Sequence, residues 1–234
     1  MTTVHITIQT AAEATADNCR IMSRLYELRP AAAAASAATV RLSEVAEAEL
    51  VKKSANKRPA LDATLAVIKE YHIAADAGNE ANDIAEHVAG VYIKYSDAVD
   101  AYNAAAMAAN IAMAAAAEKR GSAEAKVADC KSEGLFEHTL ETAATTLIRV
   151  KTAAEVEKLR DAEAAVAVAN EATLHANATM TAACEMRAEK DKWVKIIGCY
   201  ELAAIEEITK AIRQDARIAC STPTVARFDP KNAR

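Results

Sequence analysis

Apolar side chains recur every three or four residues along most of this chain, which is the spacing of one face of an α-helix. The longest such line passes through Ala81, Ile84, Val88, Val91, Tyr95, Ala98, Tyr102, Ala105, Ala109, Ala112 and Ala116. A line that stays apolar over so many turns is typical of a left-handed supercoiled bundle. The pattern predicts a long helix here that packs against other helices.

Two further segments have the same character. In the first, over 3–54, the apolar line passes through Ile8, Ala12, Thr15, Cys19, Met22 and Tyr26, flanked by Ile21, Leu25 and Leu28. The long helix itself opens, after Lys57-Arg58-Pro59, with Leu61, Leu65, Ile68, His72 and Ala75. A third line begins near Phe136 and passes through Leu140, Leu147, Leu159, Ala162, Ala169, Trp193, Ile197, Tyr200, Ile205, Ile208 and Ile212.

Residues that break helices divide these segments. Pro30 predicts a kink or a short break, and the 76–79 stretch around Gly78 predicts a change of phase. Cations followed by Gly121 predict a helix end, with a connector over 122–134. In the last segment Gly198 predicts only a bend within one helix.

Three amphipathic helices joined by short turns bury one another's apolar lines. We therefore expect an all-α fold, an elongated antiparallel three-helix bundle with coiled-coil-like packing, kinked helices and a small head at one end. We expect 1–220 to form a single bundle domain and 221–234 to form a flexible C-terminal tail.

Composition argues against several classes of function. Alanine occupies 60 of 234 positions, aromatic residues make up only 4%, and no glycine-rich phosphate loop or nucleophile elbow is present. We therefore expect no enzyme, no catalytic residue and no cofactor. The net charge of −5 without a basic stripe argues against nucleic acid as a partner. No transmembrane stretch is present, because the apolar run 104–117 is too short to span a bilayer.

Five cysteines are present, and none has the spacing of a zinc site, so we expect no bound metal. Either all are reduced, or two disulfides and one free thiol form in an oxidising compartment. Aligning the three predicted helices by length makes Cys19 with Cys184 the preferred pair. The other candidates for disulfides are Cys130, Cys199 and Cys220.

Other candidate sites are sparse. Asn177-Ala178-Thr179 matches the acceptor pattern for N-glycosylation. The histidines are isolated, and Glu80, Asp83 and Glu86 read as a solvated acidic face. Irregular backbone is where function concentrates, so the candidate ligand-binding region is the connector near Gly121, Cys130 and Gly134. The opposite end, near Pro30 and Gly78, is the alternative.

The alanine runs 31–38 and 104–117, the scattered cysteines and the single glycosylation pattern make the chain similar to a group of trypanosome surface proteins. This group includes the glutamic acid/alanine-rich protein, the alanine-rich epimastigote coat proteins, the metacyclic invariant surface proteins and the haptoglobin-haemoglobin receptor. The resemblance implies a bundle held at the cell surface by a C-terminal glycosylphosphatidylinositol anchor. No ligand-contact residue of the group matches a position in this sequence.

We thus expect a non-enzymatic surface ectodomain of a parasite, a coat component or a receptor for a host or vector ligand. Neither end carries a leader or an anchor signal, and we expect both to lie outside these 234 residues if the protein is exported. The alternative is an intracellular helical scaffold that binds a partner helix or self-associates. A helical carrier of lipid or haem is a more remote third hypothesis.

Overall fold

The computed structural model describes residues 8–52, 57–135 and 152–223, and in this part the fold is an all-α bundle without strands. It contains four long helices: α1 (Ala11–Val51), α2 (Arg58–Ser132), α3 (Ala153–Ile197) and α4 (Leu202–Ser221). The all-α prediction is confirmed. The prediction of three helices is wrong, because the last segment is two helices rather than one.

Capping explains where two of the helices start. The Thr10 hydroxyl accepts a hydrogen bond from the Glu13 amide at 3.2 Å, and the Glu13 carboxylate accepts one from the Thr10 amide at 3.0 Å. The same reciprocal pair forms at the start of α3, between Thr152 and Glu155. Such capping boxes satisfy amides that have no partner within the helix. The predicted helix start near Phe136 lies outside the described residues.

The predicted helix end at Gly121 is a misassignment, since α2 continues to Ser132. Gly121 has open space around it, and one exposed glycine costs too little, about 1 kcal/mol, to end a helix whose other face is buried. The helix ends instead at Gly134, whose φ is 66°. The amides of Gly134 and Leu135 donate to the carbonyls of Lys131 and Cys130, the pattern of a Schellman cap.

The other predicted breaks are absent as well. Helix α1 continues through Pro30, and α2 continues through Gly78. Gly78 lies where α2 packs closely against α4, because a Cβ atom added there would lie 2.7 Å from the Cβ of Ala216. The glycine therefore serves helix packing. The small head predicted from breaks at these two positions loses its basis.

The chain divides into two compact units, and each is described by itself. The first unit comprises Met1–Ser96 and Lys192–Arg234, and the second unit is Asp97–Asp191. In the first unit, α1 runs antiparallel to α2 and parallel to α4. This follows because Ala35 clusters with Ala74 and Ala219, while Ala46 packs against Val67.

The buried face of α1 matches the line that the sequence predicts only in part. Ile8 and Met22 of that line are buried, but Ala12, Thr15, Cys19 and Tyr26 are exposed, and the flanking residues Ile21, Leu25 and Leu28 complete the core. The buried line also includes Asp17 and Asn18. Because these residues are polar, a search for apolar side chains at helical spacing does not find this line. In the same way Leu61, Leu65 and His72 of α2 are exposed, and the buried residues are Ala60, Thr64, Val67 and Ala74.

The second unit pairs α2 and α3 in antiparallel orientation through alanine. A series of its buried positions recurs every seven residues, with Ala109, Ala116, Ala123 and Cys130 on α2 and Ala162, Ala169, Ala176 and Ala183 on α3. Ala98, Ala112 and Leu135 of this unit are buried as well. The predicted line from Ala81 to Ala116 is confirmed, since every member is buried or half-buried. Because alanine is small, the two helix backbones approach each other closely.

Candidate functional site

Among the described residues of the first unit, the one buried carboxylate is that of Asp17, which is 8% exposed. Its Oδ2 atom accepts a hydrogen bond from the Tyr200 hydroxyl at 2.7 Å and lies 2.8 Å from Nε2 of His87. Its Oδ1 atom pairs with the Arg20 guanidinium. Asp17 therefore joins α1, α2 and the turn between α3 and α4.

Asn18 extends this cluster to the start of α4. Its side-chain oxygen accepts a hydrogen bond from the backbone amide of Glu201 at 3.2 Å. Glu201 is the N-cap residue of α4, and its own side chain makes no capping hydrogen bond. The first turn of a helix leaves amides unsatisfied, so α1 supplies a contact that α4 does not provide for itself.

The electrostatics of the cluster keep Asp17 ionised. Burial alone would raise the pKa of the Asp17 carboxyl, but hydrogen bonds from Tyr200, His87 and Arg20 outweigh it and lower that pKa below its ordinary value. Burial, and then the carboxylate of Asp17, raise the pKa of the Tyr200 phenol. The site thus holds one negative charge surrounded by hydrogen-bond donors.

A surface groove of about 300 Å³ adjoins this cluster. Its lining residues are Arg20, Ile21 and Arg24 of α1 and Glu80, Asp83, Ile84 and His87 of α2. Arg24 forms a fork with the Glu80 carboxylate through contacts of 2.5 and 2.8 Å. The groove combines the apolar side chains of Ile21 and Ile84 with acidic and basic side chains. Such a lining suits a ligand or peptide that carries both hydrogen-bond donors and hydrogen-bond acceptors. The Asp17 contact orients the imidazole of His87 at its wall.

A larger groove lies elsewhere in the first unit, between α1 and α4. Its volume is about 560 Å³, and Val40, Glu44, Glu47, Arg217 and Ile218 are among its lining residues. Its lining also includes the buried polar residues Ser43 and Thr222, but no buried charged side chain like that of Asp17. We therefore take the groove beside His87 as the candidate site.

The predicted binding region near Gly121, Cys130 and Gly134 is the end of α2. Cys130 is buried against Leu135 and Ala162, and Gly134 forms the cap already described. Gly121 lies within the helix on an exposed face. These observations give structural roles to Cys130 and Gly134, and a ligand in this region stays a prediction.

Ion pairs beside Cys130 join the ends of α2 and α3. Lys158 lies 3.3 Å from Asp129 and also pairs with Glu133. The hydrogen bonds that Lys158 donates to Glu133 and, second, to Asp129 raise the pKa of its amine. The Cys130 thiol lies 3.7 Å from the Lys158 carbonyl oxygen. The end of the helix pair is thus held by contacts on both its buried and its exposed side.

All five cysteines are described, and each is a free thiol. Cys19, Cys184 and Cys220 are exposed, Cys130 is buried, and Cys199 is half-buried. The preferred pair, Cys19 with Cys184, is not bonded here, and its two members belong to different units. A disulfide in protein from an oxidising compartment stays a prediction.

The remaining candidate residues are not brought together. Asn177 is exposed on α3, and the Thr179 hydroxyl of its acceptor pattern donates to the Ala176 carbonyl at 2.9 Å. Among the described residues no group of three or more His, Cys, Asp and Glu side chains has the geometry of a metal site. No described helix is long and apolar enough to cross a membrane. His138 lies outside the described residues.

Pattern analysis missed Asp17, Asn18 and Tyr200 as members of a site. The available signal was a pair of adjacent polar residues between Ala14 and Ile21, at the helical spacing of the residues that prove to be buried.

Comparison of the chain with protein-family models, with curated proteins and with solved structures finds no match.

Proposed function

We propose that this protein is a non-enzymatic, surface-displayed helical bundle of a trypanosome-like parasite, a coat component or a receptor for a host or vector protein. The observation that carries the proposal is the alanine repeat of the second unit, where every buried layer of α3 is alanine. Closely set alanine-rich helices are what the resemblance to the trypanosome surface proteins implies. The resemblance implies a three-helix bundle, whereas the described residues form four long helices.

The groove beside His87 is the place where we propose that a ligand binds. It lies between α1 and α2, and the Arg24–Glu80 fork joins these two helices. Exposed Tyr26 and Tyr92 lie on the same two helices, and tyrosine is common in protein interfaces. A partner that offers both acidic and basic side chains fits this surface.

The proposal is tested by locating the protein. The complete gene is expressed in trypanosome cells with an epitope tag, and intact cells are labelled with a membrane-impermeant biotin reagent. We expect labelling without permeabilisation and release of the protein by a phospholipase specific for glycosylphosphatidylinositol. Labelling only after permeabilisation would overturn the surface location.

A second candidate function is favoured by the five free thiols. Reduced cysteines are normal inside cells, where disulfides seldom persist. In this alternative the chain is an intracellular scaffold that binds a partner helix or self-associates. Thiol counting under denaturing conditions separates the two: five free thiols in protein purified under oxidising conditions favour the scaffold, and fewer favour the surface protein.

A further inference from the structure

In the first unit α4 ends well before the helix beside it. Helices α1 and α4 run in the same direction, and Ala35 of α1 lies in one cluster with Ala219 of α4. Helix α4 ends at Ser221, whereas α1 continues to Val51, about 20 Å farther at 1.5 Å per residue. The core beyond that point is the cluster around Ala46, whose members all belong to α1 and α2. Among the described residues, this end of the helix pair therefore has no third helix.

The groove of about 560 Å³ between α1 and α4 lies where α4 ends. Val40 of α1 and Ile218 of α4 line it, and their side chains are 38% and 44% exposed. Pro223 lines the groove as well, and it is the last residue that the structure describes. At Thr222 the backbone has already left the helical conformation, since its ψ is 126°. The chain therefore continues to residue 224 from the groove itself.

The segment that follows, residues 224–234, is complementary to the groove in charge. The segment contains three basic side chains and one acidic one, namely Arg227, Lys231, Arg234 and Asp229. The lining of the groove contains two acidic side chains and one basic one, namely Glu44, Glu47 and Arg217. An excess of positive charge in the segment thus faces an excess of negative charge on α1, which favours their association.

We propose that residues 224–234 are not the flexible tail that the sequence predicts, but lie along α1 and α2 in the place of a third helix. Val225 and Phe228 are the large apolar side chains of the segment, and they cover Val40 and Ile218. The segment is long enough, because eleven extended residues reach about 36 Å and the uncovered end of α1 measures about 20 Å. This inference does not depend on the proposed function.

Trypsin measures this docking in the full chain, because cleavage after Arg227 requires that the segment be released. We expect cleavage there to be at least about tenfold slower than in a synthetic peptide of residues 222–234. Val40→Lys places a cation in the groove and should bring the rate close to that of the peptide. Val45→Lys is the matched control and should leave the rate unchanged, since Val45 is 50% exposed on the same helix but does not line the groove.

Phe228→Ser tests the same contact from the side of the segment. In a free tail this change has almost no effect on unfolding, whereas a docked phenylalanine removes apolar surface from water. The melting temperature of the full chain should therefore fall by about 4–8 °C. Asn232→Ser, a polar change in the same segment, is the control and should shift the melting temperature by less than about 1 °C.

Each of four results would overturn the proposal. The first two are cleavage after Arg227 as fast as in the peptide, and an unchanged melting temperature in Phe228→Ser. Equal release of the segment by Val45→Lys would show that the protection does not come from the groove. Protection that rises with protein concentration would show that a second copy of the chain, and not the chain's own segment, occupies the groove.

Discussion

The two units differ in the side chains that they bury between helices. The first unit buries large aliphatic side chains such as Leu25, Ile196 and Ile212 among alanines such as Ala35 and Ala74, together with the hydrogen-bonded carboxylate of Asp17. The second unit buries alanine in layer after layer. Each buried methylene group contributes about 0.8 kcal/mol, so an alanine layer stabilises much less than a layer of leucine or isoleucine.

The comparison shows that helix proximity and helix stability come from different residues. Alanine permits close approach over a long distance but removes little apolar surface from water. Large side chains and a satisfied polar cluster contribute more free energy over a shorter distance. We therefore expect the first unit to contribute most of the free energy of unfolding, and the following substitutions test this expectation.

Leu25→Ala should have the largest effect. Leu25 is fully buried, and large-to-small changes at such positions lower the free energy of unfolding by about 2–5 kcal/mol. Ala116→Gly in the second unit should cost only about 1–2 kcal/mol, from lost helix propensity and one lost methyl group. Urea unfolding followed by circular dichroism measures both, and equal losses would contradict the proposed division.

Overpacking the second unit should come next. Ala176→Leu places a larger side chain in a layer shared with Ala112 and Ala116. We expect a loss of about 1–3 kcal/mol, because the closely spaced helices must move apart. Ala178→Leu, at an exposed position two residues away, is the control and should be nearly neutral. Hydrogen exchange should rise across the second unit in the first variant alone.

Asp17→Asn should weaken the first unit by about 1–2 kcal/mol near neutral pH, since hydrogen bonds to a charged acceptor are stronger than those to a neutral one. The pKa of Asp17 is lowered in the folded protein, so its contribution is present above the unfolded-state pKa and is lost as pH falls through the lower folded value. Unfolding measured from pH 6 to pH 2 should show a smaller loss of stability in the variant than in the wild type. Parallel curves would mean that Asp17 does not carry the acid sensitivity.

Two glycines in α2 should respond in opposite directions to the same change. Gly78→Ala forces a Cβ to within 2.7 Å of Ala216, so overpacking should exceed the gain in helix propensity and lower the melting temperature. Gly121→Ala meets nothing within 4 Å and should raise the free energy of unfolding by about 0.5–1 kcal/mol. Differential scanning calorimetry of the two variants checks both signs, and a stabilised Gly78→Ala would mean that α4 is not held tightly against α2.

Sequence reasoning succeeded where the buried line is uniformly apolar. The line from Ala81 to Ala116 was predicted residue by residue, because no polar group interrupts it. It failed in α1, where the hydrophobic pattern favoured Cys19 and Tyr26 over a face that contains Asp17 and Asn18. Buried polar residues that are satisfied by distant partners are invisible to a local pattern.

The break between α3 and α4 was missed for a related reason. Local propensity favours a continuous helix there, and the partners that stabilise the turn, Asp17 and Asn18, lie about 180 positions earlier in the chain. The candidate groove beside His87 likewise draws Arg20 and Arg24 from α1 and Glu80 from α2. Its members could be listed from the sequence, but their convergence depends on which face of α1 is buried.

The alanine repeat of the second unit has a consequence for the alignment of α3 along α2. A displacement of α3 along α2 by seven residues would place alanine opposite alanine again at most layers. The buried seam therefore carries almost no information about which residues should face each other. That information resides in contacts beside the seam: the Lys190 amine over the Tyr102 ring, Arg120 with Thr173, and Lys158 with Asp129 and Glu133. In this helix pair, the polar side chains beside the seam determine the register, whereas the buried alanines are compatible with more than one register.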